Sequence, residues 1–178
     1  MSAKLMNDLS STIANIEPSL TMSITALANR LKSEGKDVIG FGAGEPDFDT
    51  PEPIKEAAIQ AVRDGHSKYT PAAGLPALKD AIIQRFKLDY GIDYDPSEIV
   101  VSCGAKHSLH NVFLALLNPG EEVILPAPYW VSYPDQIRVA GGSIVEALTT
   151  VDSDFKVTVN QLDALKTSRT KALVLNSP

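Results

Sequence analysis

The sequence predicts an α/β fold built on a mainly parallel sheet with helices on both faces, and three observations carry that reading. From Glu98 onward short apolar runs alternate with helical segments, the pattern left by βαβ units. Ahead of them, helical stretches are separated by loops whose glycines and prolines exclude regular structure. The final apolar run leads into Asn176-Ser177-Pro178 with no helix to cover it. A sheet left in that state would expose apolar surface and an unpaired edge, so the sequence reads as a truncated domain.

Each element has its own justification. Residues 23–34 place Ile24, Leu27, Ala28 and Leu31 at helical spacing and stop at Gly35, with an irregular arm before them. Val38-Ile39-Gly40-Phe41 is a short apolar stretch running into a loop over residues 42–51, fixed by Gly42, Gly44, Pro46 and Pro51. Helix resumes at Pro53, a residue tolerated in a first turn, with Ile54, Ala57, Ala58, Ala61 and Val62 on one face up to Gly65. A second rigid loop over residues 68–76 opens a helix over residues 76–90, which turns Leu78, Ala81, Ile82, Phe86 and Tyr90 inward and closes at Gly91. Strands are then expected at 99–102, 123–125, 143–148 and 171–175. Helices are expected at 105–117, 132–140 and near 159–165, the first ended by Asn118-Pro119-Gly120 and the second by Gly141-Gly142.

Composition narrows the class of function. With 44% hydrophobic and 21% charged residues in 178, the chain has the balance of a soluble globular protein with one sizeable core. Its net charge is −6 and the acidic residues are scattered, which argues against a broad nucleic-acid or anionic-membrane surface. Cys103 is the only cysteine, so no intramolecular disulfide can form, and a reducing cytoplasm is the compartment this suits. No apolar run approaches the roughly 18 residues of a membrane span. The N-terminal residues Met1 to Asp8 lack the apolar core and small-residue cleavage site of a secretory signal. A cytoplasmic location is therefore expected.

The strongest local signal for chemistry is strand, then Cys103-Gly104-Ala105-Lys106, then helix. Glycine lets backbone approach a ligand, the first-turn N–H groups are unpaired, and the helix dipole favours an anion such as phosphate. The same residues also suit an ordinary βα turn. Two other phosphate motifs fail: Lys106 is followed by His107 and lacks the earlier glycine of a P-loop, and Gly40, Gly42 and Gly44 precede Glu45-Pro46 instead of a helix. Trp130, the only tryptophan, follows the carboxyl end of a strand, where open α/β sheets place ligands, and a flat aromatic ligand could stack on it; filling a core or interface is the alternative use. Cys103 at a helix start with His107 one turn on could form a thiol–imidazole pair, against the commoner use of cysteine as a small buried residue. His107 and His110 lie three apart on one helix, yet no further His or Cys has the spacing of a metal ligand.

Taken together these loops resemble the class I aminotransferases, in particular the bacterial aspartate aminotransferase branch of the fold type I pyridoxal-phosphate enzymes, over nearly the whole chain and in the family's order. The segments that carry the resemblance are Pro18-Ser19 with Thr21, Ala43-Gly44-Glu45-Pro46-Asp47-Phe48-Asp49-Thr50-Pro51, and Lys68-Tyr69 followed by Ala73-Gly74-Leu75-Pro76. They continue with Gly104-Ala105-Lys106, Pro128-Tyr129-Trp130-Val131-Ser132-Tyr133-Pro134, Ala140-Gly141-Gly142 and Thr170 to Pro178.

The resemblance implies the N-terminal part of an aspartate aminotransferase-like large domain. Residues 1–50 would form an arm and small-domain helix, and residues 51–178 an incomplete cofactor-binding domain. Backbone N–H groups of Gly104, Ala105 and Lys106 would hold the phosphate of pyridoxal 5'-phosphate, and Trp130 would stack on its ring. Tyr69 would reach across a homodimer interface to the neighbouring subunit's cofactor. Gly44 would approach the substrate α-carboxylate through its backbone, and Thr21 and Lys106, with Trp130, would lie near an acidic substrate. The expected reaction moves an amino group between an amino acid, of the aspartate or glutamate type, and a 2-oxo acid. The family's cofactor-binding lysine, ring-nitrogen aspartate and carboxylate-clamping arginine match no position here, so no catalytic residue is expected in this chain, and the chain alone is expected to be inactive; the histidine and cysteine spacing leaves no metal ligand expected either. Other reactions on the same fold (a lyase, decarboxylase or synthase) and a non-catalytic binding module are the alternatives.

Overall fold

The computed structural model describes residues 10–14, 16, 18–42 and 44–176. Residues 1–9, Ala43, Ser177 and Pro178, which carry the reading of the N-terminus and parts of two motifs, lie outside them. Packing groups the chain into two compact units, Pro18–Val100 on one hand and Met1–Glu17 with Val101–Pro178 on the other. The division at residue 50 concerns the place of segments in a complete fold, so it need not coincide with these units.

Helix α1 is a single turn, Ser11–Ala14. The unit from Pro18 to Val100 holds three longer helices. Helix α2, Leu20–Ser33, starts where the Ser19 hydroxyl accepts from the Met22 N–H at 3.4 Å, and the chain leaves it at Gly35 with φ of +80°. Helix α3, Glu52–Arg63, carries Pro53 in its first turn. Helix α4, Pro76–Tyr90, opens on proline and stops at Gly91 in the left-handed region, φ +69°. Beyond it, Lys79 Nζ donates to the Pro96 carbonyl at 2.9 Å, and Phe86 meets Tyr94 edge-on with centroids 5.4 Å apart. A Cβ at Gly42 would lie 2.6 Å from Ile24 Cγ2, so glycine is what lets that loop lie against α2. No described residue of this unit is buried.

The other unit is the βαβ part. Helix α5 spans Ala105–Leu116, strand β1 Glu122–Ala127, helix α6 Ser132–Val139, strand β2 Ser143–Leu148, helix α7 Val159–Leu165 and strand β3 Thr170–Leu173. The strands form one parallel sheet in the order β2-β1-β3, with Val123 opposite Ile144 on one side and Ala172 on the other. Covered on both faces, the central strand is apolar after its first residue, and Val123, Ile124 and Leu125 are each at most 3% exposed. Alternation sends Val123 and Leu125 to one face, where they pack with Phe113 and Leu117 from the α5 end and Ile137 of α6. Ile124 faces the other way, into a groove it shares with Leu162 of α7.

Residues 99–102 do not form the expected strand. Ile99 is extended, with φ −117° and ψ 128°, and Val100 is exposed, but no neighbouring strand is hydrogen-bonded to them among the described residues. A strand requires a partner as well as an apolar run. Glu122, at the start of β1, is buried and is held by three donors: the Thr167 hydroxyl at 2.6 Å, Arg169 Nε at 2.9 Å and Arg169 Nη2. These hold its carboxyl below the ordinary glutamate range, the Thr167 hydrogen bond most, then Arg169. Among the described residues, no helix is long and apolar enough to cross a membrane.

Candidate functional site

A cleft that could hold a ligand lies wholly within the βαβ unit. On one side of it, Gly104 takes φ +86° and ψ 167°, a combination essentially restricted to glycine, while a Cβ there would meet nothing within 4 Å. Backbone conformation, not crowding, demands glycine. The Gly104 carbonyl accepts from the N–H groups of His107 and Ser108 at 3.1 and 3.2 Å, which starts α5. Its own N–H donates to the Ser102 carbonyl at 2.8 Å. The amides of Ala105 and Lys106 have no acceptor among the described residues. Of the three amides expected to form an anion cup, one is thus committed internally and two are free.

The second wall comes from the chain leaving β1. Residues 128–131 turn into α6, the turn closed by Tyr133 N–H donating to the Trp130 carbonyl at 3.1 Å. Trp130 is 47% exposed and belongs to no core cluster; with Ala105, Lys106, Leu109 and Tyr133 it lines an open cleft of about 520 Å³. Lys106 Nζ sits over the indole, 5.7 Å from the ring centroid. At an exposed site such a contact contributes about 0.5–1 kcal/mol, so a planar ligand could displace it at small cost.

Three further lining residues, Pro128, Tyr129 and Asn176, complete the cleft, and the sequence assigned neither them nor Tyr133 a role. The Tyr133 hydroxyl donates to Asn176 Oδ1 at 2.6 Å, joining the segment after β1 to the one after β3. Tyr129 donates to Glu146 Oε1 at 2.7 Å, and this hydrogen bond, burial and the Glu146 charge together raise its phenol pKa. Near neutral pH it is a fixed donor, not a base. The common signal of these residues is position past the carboxyl ends of parallel strands. Gln136 of α6, half-buried, reaches across to donate to the Lys106 carbonyl at 2.7 Å.

Cys103 is exposed, and its backbone N–H donates to His107 Nδ1 at 3.2 Å. That nitrogen is therefore committed to the main chain and is not offered to the thiol. Among the described residues no group of three or more His, Cys, Asp or Glu is placed to hold a metal ion.

The remaining residues expected from the sequence to contribute belong to the unit Pro18–Val100. Thr21 lies in the first turn of α2, half-buried, its carbonyl accepting from Thr25 Oγ1 at 2.9 Å. Tyr69 is fully exposed. Gly44 is exposed, and nothing lies within 4 Å of where its Cβ would be, so no described neighbour requires glycine there.

Comparison with known proteins agrees with this cleft-forming architecture. Aspartate aminotransferase of Geobacillus stearothermophilus is 52% identical over 170 residues, covering 96% of this chain and 43% of that protein. A probable aspartate/prephenate aminotransferase of Aquifex aeolicus is 51% identical with the same coverage. The solved aspartate aminotransferase from Thermus thermophilus with maleate superposes with a TM-score of 0.92 at 45% identity, over 96% of this chain and 44% of that one. The chain thus spans less than half the length of these relatives. The family model for aminotransferase class I and II matches residues 36–178, and the chain belongs to that family.

Proposed function

We propose that this protein, in its complete form, is a pyridoxal-phosphate-dependent aminotransferase that moves an amino group between an amino acid of the aspartate or glutamate type and a 2-oxo acid. The observation that carries the reading is the cleft in which two free helix-start amides and an exposed indole converge. The residues present fit the cofactor: N–H groups at a helix N-terminus suit a phosphate, and a flat aromatic face suits a pyridine ring. The cleft also has the size of an ordinary cofactor site.

When bound, pyridoxal phosphate supplies the electron sink that lets the α-proton of an amino acid leave. The chain's own residues bind and orient. Ala105 and Lys106 would grip the phosphate through their amides, with Gly104 supplying the backbone turn that aims them. Trp130 would fix the ring plane and keep water off one face. The Lys106 ammonium, displaced from the indole, and Thr21 would attract the distal carboxylate of an acidic substrate, while Gly44 would offer backbone to the α-carboxylate. The names of the relatives and the maleate, a four-carbon dicarboxylate, in the Thermus thermophilus structure support an acidic substrate.

Tyr69, fully exposed in its own unit, suits a role across a homodimer interface, toward the partner subunit's cofactor. The proton-moving lysine, the ring-nitrogen aspartate and the carboxylate-clamping arginine would come from sequence outside these 178 residues, which by themselves would not turn over. Residues 1–50 would supply an arm and small-domain helix and residues 51–178 part of the cofactor domain. The lone cysteine suits a reducing cytoplasm.

Incubating the complete protein with pyridoxal phosphate, aspartate and a 2-oxo acid tests the reading. Formation of oxaloacetate together with the new amino acid is expected. Release of ammonia or carbon dioxide from aspartate instead would replace it with a lyase or decarboxylase.

A further inference from the structure

The cleft is assembled from two elements with no covalent reason to keep their spacing: the first turn of α5 carries the amides, and the turn ahead of α6 carries Trp130. Phe113, Leu117 and Ile137 join the two helices through the apolar core, further along α5 than the amides. Leu109 and Tyr133 pack against the same core, and beside the amides one polar crosslink is present among the described residues, Gln136 Nε2 to the Lys106 carbonyl at 2.7 Å, across 30 residues of sequence. The peptide between Lys106 and His107 is thereby held from both ends, since its N–H donates to the Gly104 carbonyl at 3.1 Å.

The other end of the same side chain sharpens the point. Gln136 Oε1 is buried with no hydrogen-bond partner among the described residues. An unpaired buried acceptor is unfavourable, and an apolar side chain of equal size would avoid it, so filling space does not account for the amide. Turning the group over would set two acceptors against each other at Lys106, which fixes which atom donates.

We propose that Gln136 is a positioning residue for phosphate binding: acting through the Lys106 peptide, it locks the first turn of α5 at the distance from Trp130 that a phosphorylated ring requires. This rests on the cofactor reading given above. The test compares wild type and Gln136→Met, similar in volume but without a donor, in the complete protein. Dissociation constants are measured for pyridoxal phosphate and for pyridoxal, which lacks the phosphate. Loss of one hydrogen bond in the cup should weaken pyridoxal phosphate roughly five- to tenfold and leave pyridoxal within about twofold.

Equal weakening of both ligands, or of neither, overturns the proposal, the first by marking a general structural role. Gln136→Leu stands in should the methionine variant not fold, and failure of both to fold also marks the residue as structural and overturns it. A wild-type protein that binds pyridoxal phosphate no better than pyridoxal overturns the phosphate-cup reading and this inference with it. A wild type that prefers the phosphate, with variants that prefer it equally, overturns the inference alone.

Discussion

The segment Pro18–Val100 and the segment from Val101 onward are built from equally well-marked elements, and they differ in what those elements bury. Helices α2, α3 and α4 start and stop at local signals, yet Ile59, Val62 and Leu78 are 42%, 71% and 44% exposed. In the βαβ segment Val123, Leu125 and Ile137 are at most 1% exposed. Capping residues, first-turn prolines and left-handed glycines settle where a helix begins and ends. Burial needs a second surface. The three-stranded sheet provides one on each side of β1, and the first segment has no sheet of its own among the described residues.

The difference predicts where substitutions hurt. In the complete protein, Ile137→Ala opens a void in the apolar core, and its expected cost is about 2–5 kcal/mol, against about 0.5 kcal/mol or less for Val62→Ala on the exposed face of α3. Urea unfolding followed by circular dichroism measures both; equal costs would break the contrast.

A smaller contrast lies in two glycines. A Cβ at Gly142 would sit 2.9 Å from Leu117 Cδ1 and 3.0 Å from Ile137 Cγ2, whereas one at Gly44 would meet nothing within 4 Å. Gly142→Ala should destabilise by about 1–3 kcal/mol through overpacking. Gly44→Ala should leave the unfolding midpoint unchanged and raise KM for the amino acid in the complete protein. A Gly44→Ala variant that unfolds early would place the glycine's role in folding instead.

Within the cleft, backbone and side chain of one residue should separate. Lys106→Ala keeps the amide and removes the ammonium, so pyridoxal phosphate affinity should change by no more than about threefold while KM for aspartate rises roughly tenfold or more, the scale of a charged hydrogen bond. Titration and steady-state kinetics on the same preparation read the two effects. Equal loss of both would mean that the side chain, not the amide, holds the phosphate.

The smallest effect is pH-dependent and belongs to the β1 edge. Because the folded Glu122 carboxyl is held below its ordinary value of 4.5, its contribution is fully present above that pH and is lost as the pH falls below it. Glu122→Gln should therefore be less stable than wild type at neutral pH, with the gap narrowing on acidification. Denaturation midpoints across that range check the sign, and a gap that widens in acid would contradict it.

Much of the architecture is legible in the sequence, for reasons that differ by element. Helix α4, strand β2 and helix α7 fall on the expected bounds because a proline, a glycine pair and a threonine cap punctuate them. The meeting of Trp130 with the Ala105 and Lys106 amides is legible because parallel α/β sheets gather their loops at one end. The expected strand at 99–102 does not form because an apolar run announces a strand without supplying its partner. The commitment of the Gly104 N–H to Ser102 depends on backbone angles that no residue type specifies. Gln136 to Lys106 and Tyr133 to Asn176 are tertiary hydrogen bonds spanning 30 and 43 residues, formed by polar side chains that leave no periodic trace.

A crystal structure of the complete protein with pyridoxal phosphate tests the central claim most directly. The phosphate should lie within hydrogen-bond distance of the Ala105 and Lys106 amide nitrogens, with the pyridine ring against Trp130 and the Lys106 ammonium moved aside. A phosphate bound elsewhere, or a ring seated away from the indole, would contradict it.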